Sequence, residues 1–110
     1  METKTTARIR ALNDELRVHG RGGIALVTQG ILAFGVPFAA RARALVRRDQ
    51  TFAEDNDPYA EHDFGAVSLD GEKIFWKIDY YDLERRYGST DPSDPDATSR
   101  VLTIMLAEEY

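Results

Sequence analysis

The pair Asp70-Gly71, set between the segments Asp63–Leu69 and Glu72–Tyr81, constrains this chain more than any other feature. An Asp-Gly pair readily supplies the two positive-φ positions of a type I′ turn, whose twist matches that of antiparallel strands, so the flanking segments are expected to pair as a hairpin. That turn sets Val67 opposite Ile74, Phe64 opposite Lys77 and His62 opposite Asp79. Side chains alternate across a strand, which sorts the hairpin into two faces. Val67, Leu69, Ile74, Trp76, Ile78 and Tyr80 form the expected core side. His62, Phe64, Ser68, Phe75, Lys77, Asp79 and Tyr81 share the other, half aromatic and half ionisable.

The remaining elements follow from periodicity. Ile9, Leu12 and Leu16 recur at helical spacing, predicting a helix over 6–19 with Thr5 or Thr6 as N-cap and Gly20 as its stop. Residues 23–28 are apolar and β-branched enough for a buried strand. Pro37 suits the first turn of a helix running to Asp49, with Phe38, Ala42, Leu45 and Val46 on one side and Arg41, Arg43, Arg47 and Arg48 on the other. Past the turn-rich segment Asp91-Pro92-Ser93-Asp94-Pro95, the wheel positions of Val101, Leu102, Ile104, Met105 and Leu106 predict a closing, mostly buried helix. Their β-branched content keeps a strand open as the alternative. The expectation is an α+β fold in one domain over 1–110, a small antiparallel sheet including the 63–81 hairpin with about three helices packed on it.

Composition narrows the function classes. There is no cysteine, so no disulfide, thiol nucleophile or thiolate metal site. No apolar run is long enough to span a bilayer and no secretory leader precedes the first helix, which points to a soluble protein of the cytoplasm with no membrane partner. The net charge of −5 conceals an asymmetry: residues 1–50 carry nine Lys/Arg against four Asp/Glu, and residues 51–110 carry five against fifteen. Either the halves attract each other within the fold, or the molecule presents one basic and one acidic surface.

Three constellations could carry function. His62, Lys77, Asp79, Tyr81 and Asp82 form a candidate polar cluster, in which His62 and Asp79 would be a base with its orienting carboxylate or part of a divalent-metal site. Alternation sends Asp63 away from His62, and the acidic residue that a nuclease core needs ahead of Lys77 is missing, so no metal or cofactor is assigned. Asp55, Asp57, Glu61, Asp91, Asp94 and Asp96 form a candidate acidic surface able to occupy a basic groove on a partner. Arg41, Arg43, Arg47 and Arg48 form a candidate basic surface for phosphate or acidic protein. Gly20-Arg21-Gly22-Gly23 lacks the lysine and strand context of a phosphate loop.

The stretch from Asp55 to Gly65, DNDPYAEHDFG, followed by Phe75–Asp82, FWKIDYYD, resembles a family of small proteins of unknown function from alphaproteobacteria, their plasmids and phages. The closing residues Arg100–Tyr110 are similar to the same family, and the resemblance runs from about Ile9 to the last residue. Arg41–Arg48 is more arginine-rich than that family leads one to expect. The resemblance implies a setting rather than an activity: accessory cargo of mobile elements, often near antirestriction genes. The first expectation is therefore a non-enzymatic interaction protein that binds and inhibits a host factor, of restriction or CRISPR-type defence, through a charged surface. A metal-dependent hydrolase or nuclease centred on His62 and Asp79, and a nucleic-acid binder using helix 37–49, are the alternatives.

Overall fold

A computed structural model describes residues 2–110. Helix α1 (Lys4–His19) starts where the Thr3 hydroxyl accepts the Thr6 amide, earlier than the Thr5 or Thr6 expected, and stops at Gly20, whose left-handed φ of 71° turns its amide back to Glu15 and Leu16. Strand β1 (Ile24–Val27) runs into the single turn α2 (Gln29–Leu32), capped by Thr28. Helix α3 (Val36–Arg48) carries Pro37 in its first turn, as its fixed φ favours. Strands β2 (Phe64–Leu69) and β3 (Glu72–Tyr81) flank Asp70 and Gly71, both at positive φ. The register is the predicted one, with Val67 opposite Ile74 and Phe64 opposite Lys77.

The closing helix is not formed. Residues Ser99–Leu106 are strand β4, followed by a 3₁₀ turn at Ala107–Glu109, and Asp94-Pro95 is part of a turn rather than a helix start. The sheet order is β1-β4-β3-β2, with β4 antiparallel to β3 and parallel to β1, so the sheet is mixed rather than antiparallel throughout. As an inner strand, β4 has neighbours on both sides and buries Val101, Leu102, Ile104, Met105 and Leu106 alike. A strand buried on both faces loses its alternation and reads as a continuous apolar run, which periodicity does not separate from a buried helix. The α+β assignment stands, with α2 as the third helix.

The helices lie on one face. Ile74, Trp76 and Ile78 of β3 and Leu102, Ile104 and Leu106 of β4 pack against Leu16, Ile31, Phe38, Ala42 and Val46. Trp76 Nε1 donates to Asp49 Oδ2 at 2.8 Å just beyond the end of α3, joining the helix layer to the sheet. Gly65, opposite Trp76, leaves the space for that bond; a Cβ there would overlap both Trp76 Nε1 and Asp49 Oδ2. Gly65→Ala is therefore expected to cost about 2–3 kcal/mol through overpacking and loss of a buried charge-assisted hydrogen bond. Urea unfolding followed by the fluorescence of Trp76 measures it, and an unchanged midpoint would contradict this packing.

Candidate functional site

The sheet face opposite the helices is the one on which chemistry-bearing side chains come together. Alternation along β3 points Phe75, Lys77, Asp79 and Tyr81 there, and β2 adds Phe64. The basic helix, a natural cover for these aromatics, packs on the other face. Tyr110 takes that place instead: the turn at Ala107–Glu109 brings its ring within 5.6 Å of both Phe64 and Phe75, whose own ring centroids are 5.2 Å apart. This geometry favours edge-on aromatic contacts, yet Tyr110 stays 74% exposed. Beside the trio runs a shallow groove of about 280 Å³, walled by Pro58, Tyr59, Asp63, Phe64, Tyr110 and the Lys77–Asp79 pair.

Within the groove the Lys77 ammonium donates to Asp79 Oδ2 at 2.9 Å. That hydrogen bond, supported by the charge of Asp79, holds the lysine above its ordinary pKa and keeps it a cation. Asp63 behaves differently. Burial, with the like charges of Glu61, Asp57 and Asp79 around it, raises its carboxyl above the usual range. Tyr81 occupies the same face, and Asp82, past the end of the strand, turns back to accept the Arg86 amide at 3.0 Å.

His62 is not in this cluster. The ladder of β2 begins at Phe64, and His62 adopts a left-handed φ of 55° that swings its ring toward the helix side, away from Asp79. The predicted His62–Asp79 pairing fails because that backbone turn ends strand alternation two residues earlier. His62 Nδ1 instead lies 2.9 Å from Asp14 Oδ1, and since a carboxylate only accepts, Nδ1 carries the proton. The imidazole stacks on Phe52 at 3.7 Å, with Nε2 3.8 Å from Asp57 Oδ2. Asp57 also accepts the His62 amide at 3.0 Å, so the imidazole and both carboxylates clasp the 50–62 loop onto α1. Among the described residues no three His, Asp or Glu side chains gather as a metal would require.

The two charged surfaces also change character. Asp57 is buried and Glu61 accepts the Tyr80 hydroxyl at 2.8 Å. Asp91 and Asp94 accept the amides of Ser93 and Asp96 within their own turns, leaving Asp55 and Asp96 as the members that only face solvent. On α3, Arg41 makes a two-pronged bond to Asp70 at 3.0 and 3.2 Å, Arg43 is half-buried, and Arg47 and Arg48 are exposed. Sequence reasoning missed Tyr59 and Tyr110 as members of the site. Both follow turn residues, and only the folded chain brings them to β3.

The Asp63 carboxyl supplies a test of this electrostatic picture. With a folded-state pKa above the unfolded one, Asp63 binds its proton more tightly in the native state; the native state therefore loses stability as pH rises through the folded value. Asp63→Asn is expected to stabilise the protein at neutral pH, by an amount that solvent screening keeps small, and to make no difference below the ordinary Asp range. Thermal unfolding across a pH series reads this; a variant less stable than wild type at neutral pH would show that the carboxylate has an unseen partner.

One protein-family model, described as "Protein of unknown function (DUF3768)", matches residues 27–109. The match takes in both motif stretches and nearly all of the closing segment, but begins later than the Ile9 expected and leaves α1 outside it. No curated protein and no solved structure matches the chain.

Proposed function

Because the chain belongs to this family of unknown function, DUF3768, it brings no assigned activity with it, and we propose that it is a non-catalytic binding module that docks a partner protein on the open face of its sheet. The observation that carries this reading is the aromatic trio Phe64, Phe75 and Tyr110 beside the Lys77–Asp79 pair, on a face that no helix covers. Protein interfaces are commonly centred on aromatic anchors with a polar, charged rim, and this face has that anatomy. The hydrolase reading loses its support, since His62 is engaged with Asp14 and Asp57 on the opposite side of the sheet from Asp79. An acidic docking surface is weakened because four of its six members serve internal hydrogen bonds.

The resemblance to accessory proteins of mobile elements makes a cytoplasmic host protein the partner class to seek, with blockade of a restriction or CRISPR-type component as the consequence of docking. The test is affinity capture from a nuclease-treated host lysate, comparing wild type with a double variant Lys77→Asp, Asp79→Lys. The exchange keeps the internal ion pair while inverting the charge pattern that a partner meets. One stoichiometric partner, retained by wild type and weakened about tenfold (~1.4 kcal/mol) in the exchanged variant, is the expected result. Equal capture by both, or loss only on changing Arg47 and Arg48, would move the function off this face.

A further inference from the structure

The sheet has two edges, and they differ. β2 is bracketed by Asp63 and Asp70, with Asp70 tied to Arg41, so antiparallel self-pairing there would bring carboxylates together. β1 carries no such guard. The Thr28 amide donates to Ile104 O at 3.0 Å, and Val27 is the residue opposite Ile104. In a parallel ladder this directs the backbone groups of Leu26 and Thr28 at β4, and those of Ala25 and Val27 outward. No described hydrogen bond reaches Ala25 or Val27 from that outer side. From Gly22 to Ala40 the chain has no charged side chain at all, although charged residues make up 30% of the whole. Of the eight large apolar residues exposed among those described, Leu26, Leu32, Phe34 and Val36 also lie in this stretch.

We propose that the β1 edge pairs antiparallel with the β1 edge of a second copy, making a two-fold dimer with a continuous eight-stranded sheet. An exposed edge with unpaired N–H and C=O groups is a template for another strand, and natural edges usually carry a Lys, a Pro or a bulge to prevent it. β1 has none of these. The occupant is a second copy because β1 complements itself: with Ala25 bonded to Val27 of the other copy, Leu26 meets its own counterpart on the two-fold axis. Leu26 is 50% exposed in the single chain. In a molecule of net charge −5, this is a surface on which two copies meet without opposing like charges.

One carboxylate is tied to the residues that follow this edge strand. Glu109 accepts from the Thr28 hydroxyl at 2.6 Å and the Gly30 amide at 3.2 Å. The dimer also sets the two open faces side by side on one surface, so that a bivalent partner would gain avidity without any new contact.

The test is the mass in solution of wild type, Leu26→Lys and Leu26→Glu, alone and mixed, by light scattering across a dilution series, with Trp76 fluorescence as the check on folding. Wild type is expected at dimer mass, each variant alone at monomer mass, and the equimolar mixture of the two variants at dimer mass again. Restoration by the mixture places the two Leu26 positions face to face. A monomeric wild type would overturn the proposal, as would a dimer that both variants leave intact. Failure of the mixture to reassociate would place the interface elsewhere. None of these outcomes bears on partner capture by the open face, which stands or falls separately.

Discussion

The Arg17 guanidinium lies at the junction of α1, α3 and β3 with only 3% exposure. From Nη1 it donates to the carbonyls of Val46 and Asp49 at 2.8 Å each, and it lies over the rings of Phe52 and Trp76, 5.2 and 5.1 Å from their centroids. Those carbonyls are at the end of α3, where unpaired acceptors concentrate the negative end of the helix dipole, so a cation is favoured there twice over. Desolvating a guanidinium still costs several kcal/mol, and Nε has no partner. The offset comes from the carbonyls of Val46, Arg47 and Asp49, the two ring faces and the Asp49 carboxylate. Burial pushes that carboxyl upward, but hydrogen bonds from Thr51 and Trp76 and the charge of Arg17 outweigh it and leave its pKa below the ordinary value. Asp49, Trp76 and Gly65 are thereby fixed together, and with them the angle between helix layer and sheet.

One turn earlier on the same face of α1, Asn13 performs a matching task at the far end of the sheet. Its Oδ1 accepts from Arg100 Nε at 2.6 Å, and its Nδ2 donates to Glu61 O at 2.9 Å and to the Tyr80 oxygen at 2.8 Å. Arg100, also buried, reaches the Pro92 carbonyl and lies over the Tyr80 ring. Burial lowers the Arg100 pKa and raises that of Tyr80. These partners come from α1, β3, β4 and both long loops, so the network joins segments that apolar packing alone would leave free to slide. The loop that supplies Tyr59 to the groove is held by this network at Glu61 and by the His62 clasp at Asp14.

What could be read from the residues, and what could not, divides along the same line. The hairpin was legible because Asp70-Gly71 sets its own register and β2 and β3 keep a period of two; α1 and α3 were legible because their apolar positions keep a period of 3.6. β4 was not, since an inner strand whose side chains are buried on both sides of the sheet carries no period. Arg17 and Asn13 looked like ordinary polar positions on a helix. Arg17 even has the Asp14 neighbour, at 3.4 Å, that explains an exposed arginine without calling on the core. Burial of a charge becomes visible only when the carbonyls at the end of α3 and the rings of Phe52 and Trp76 are brought around it. The candidate site followed the same rule: Lys77, Asp79 and Phe75 were placed correctly by alternation, while His62 was lost to one positive-φ residue.

Chain order also explains why one sheet face stays open. β1 and the β2–β3 hairpin are separated in the sheet by β4, the last strand in sequence, so neither the parallel β1–β4 ladder nor the antiparallel β3–β4 ladder can form until residues 99–106 insert between them. The described α-helices all precede the hairpin, and connections from β1 through α2 and α3 return to one side of the sheet, so that none of them covers the other. The last residues instead fold back at the 3₁₀ turn, where Glu109 ties the chain end to Thr28 and Gly30 and Tyr110 settles on Phe64 and Phe75. The open face and the β1 edge are thus completed by the same short segment. Glu109 thereby holds the residues after β1 while the next residue packs on the aromatic pair.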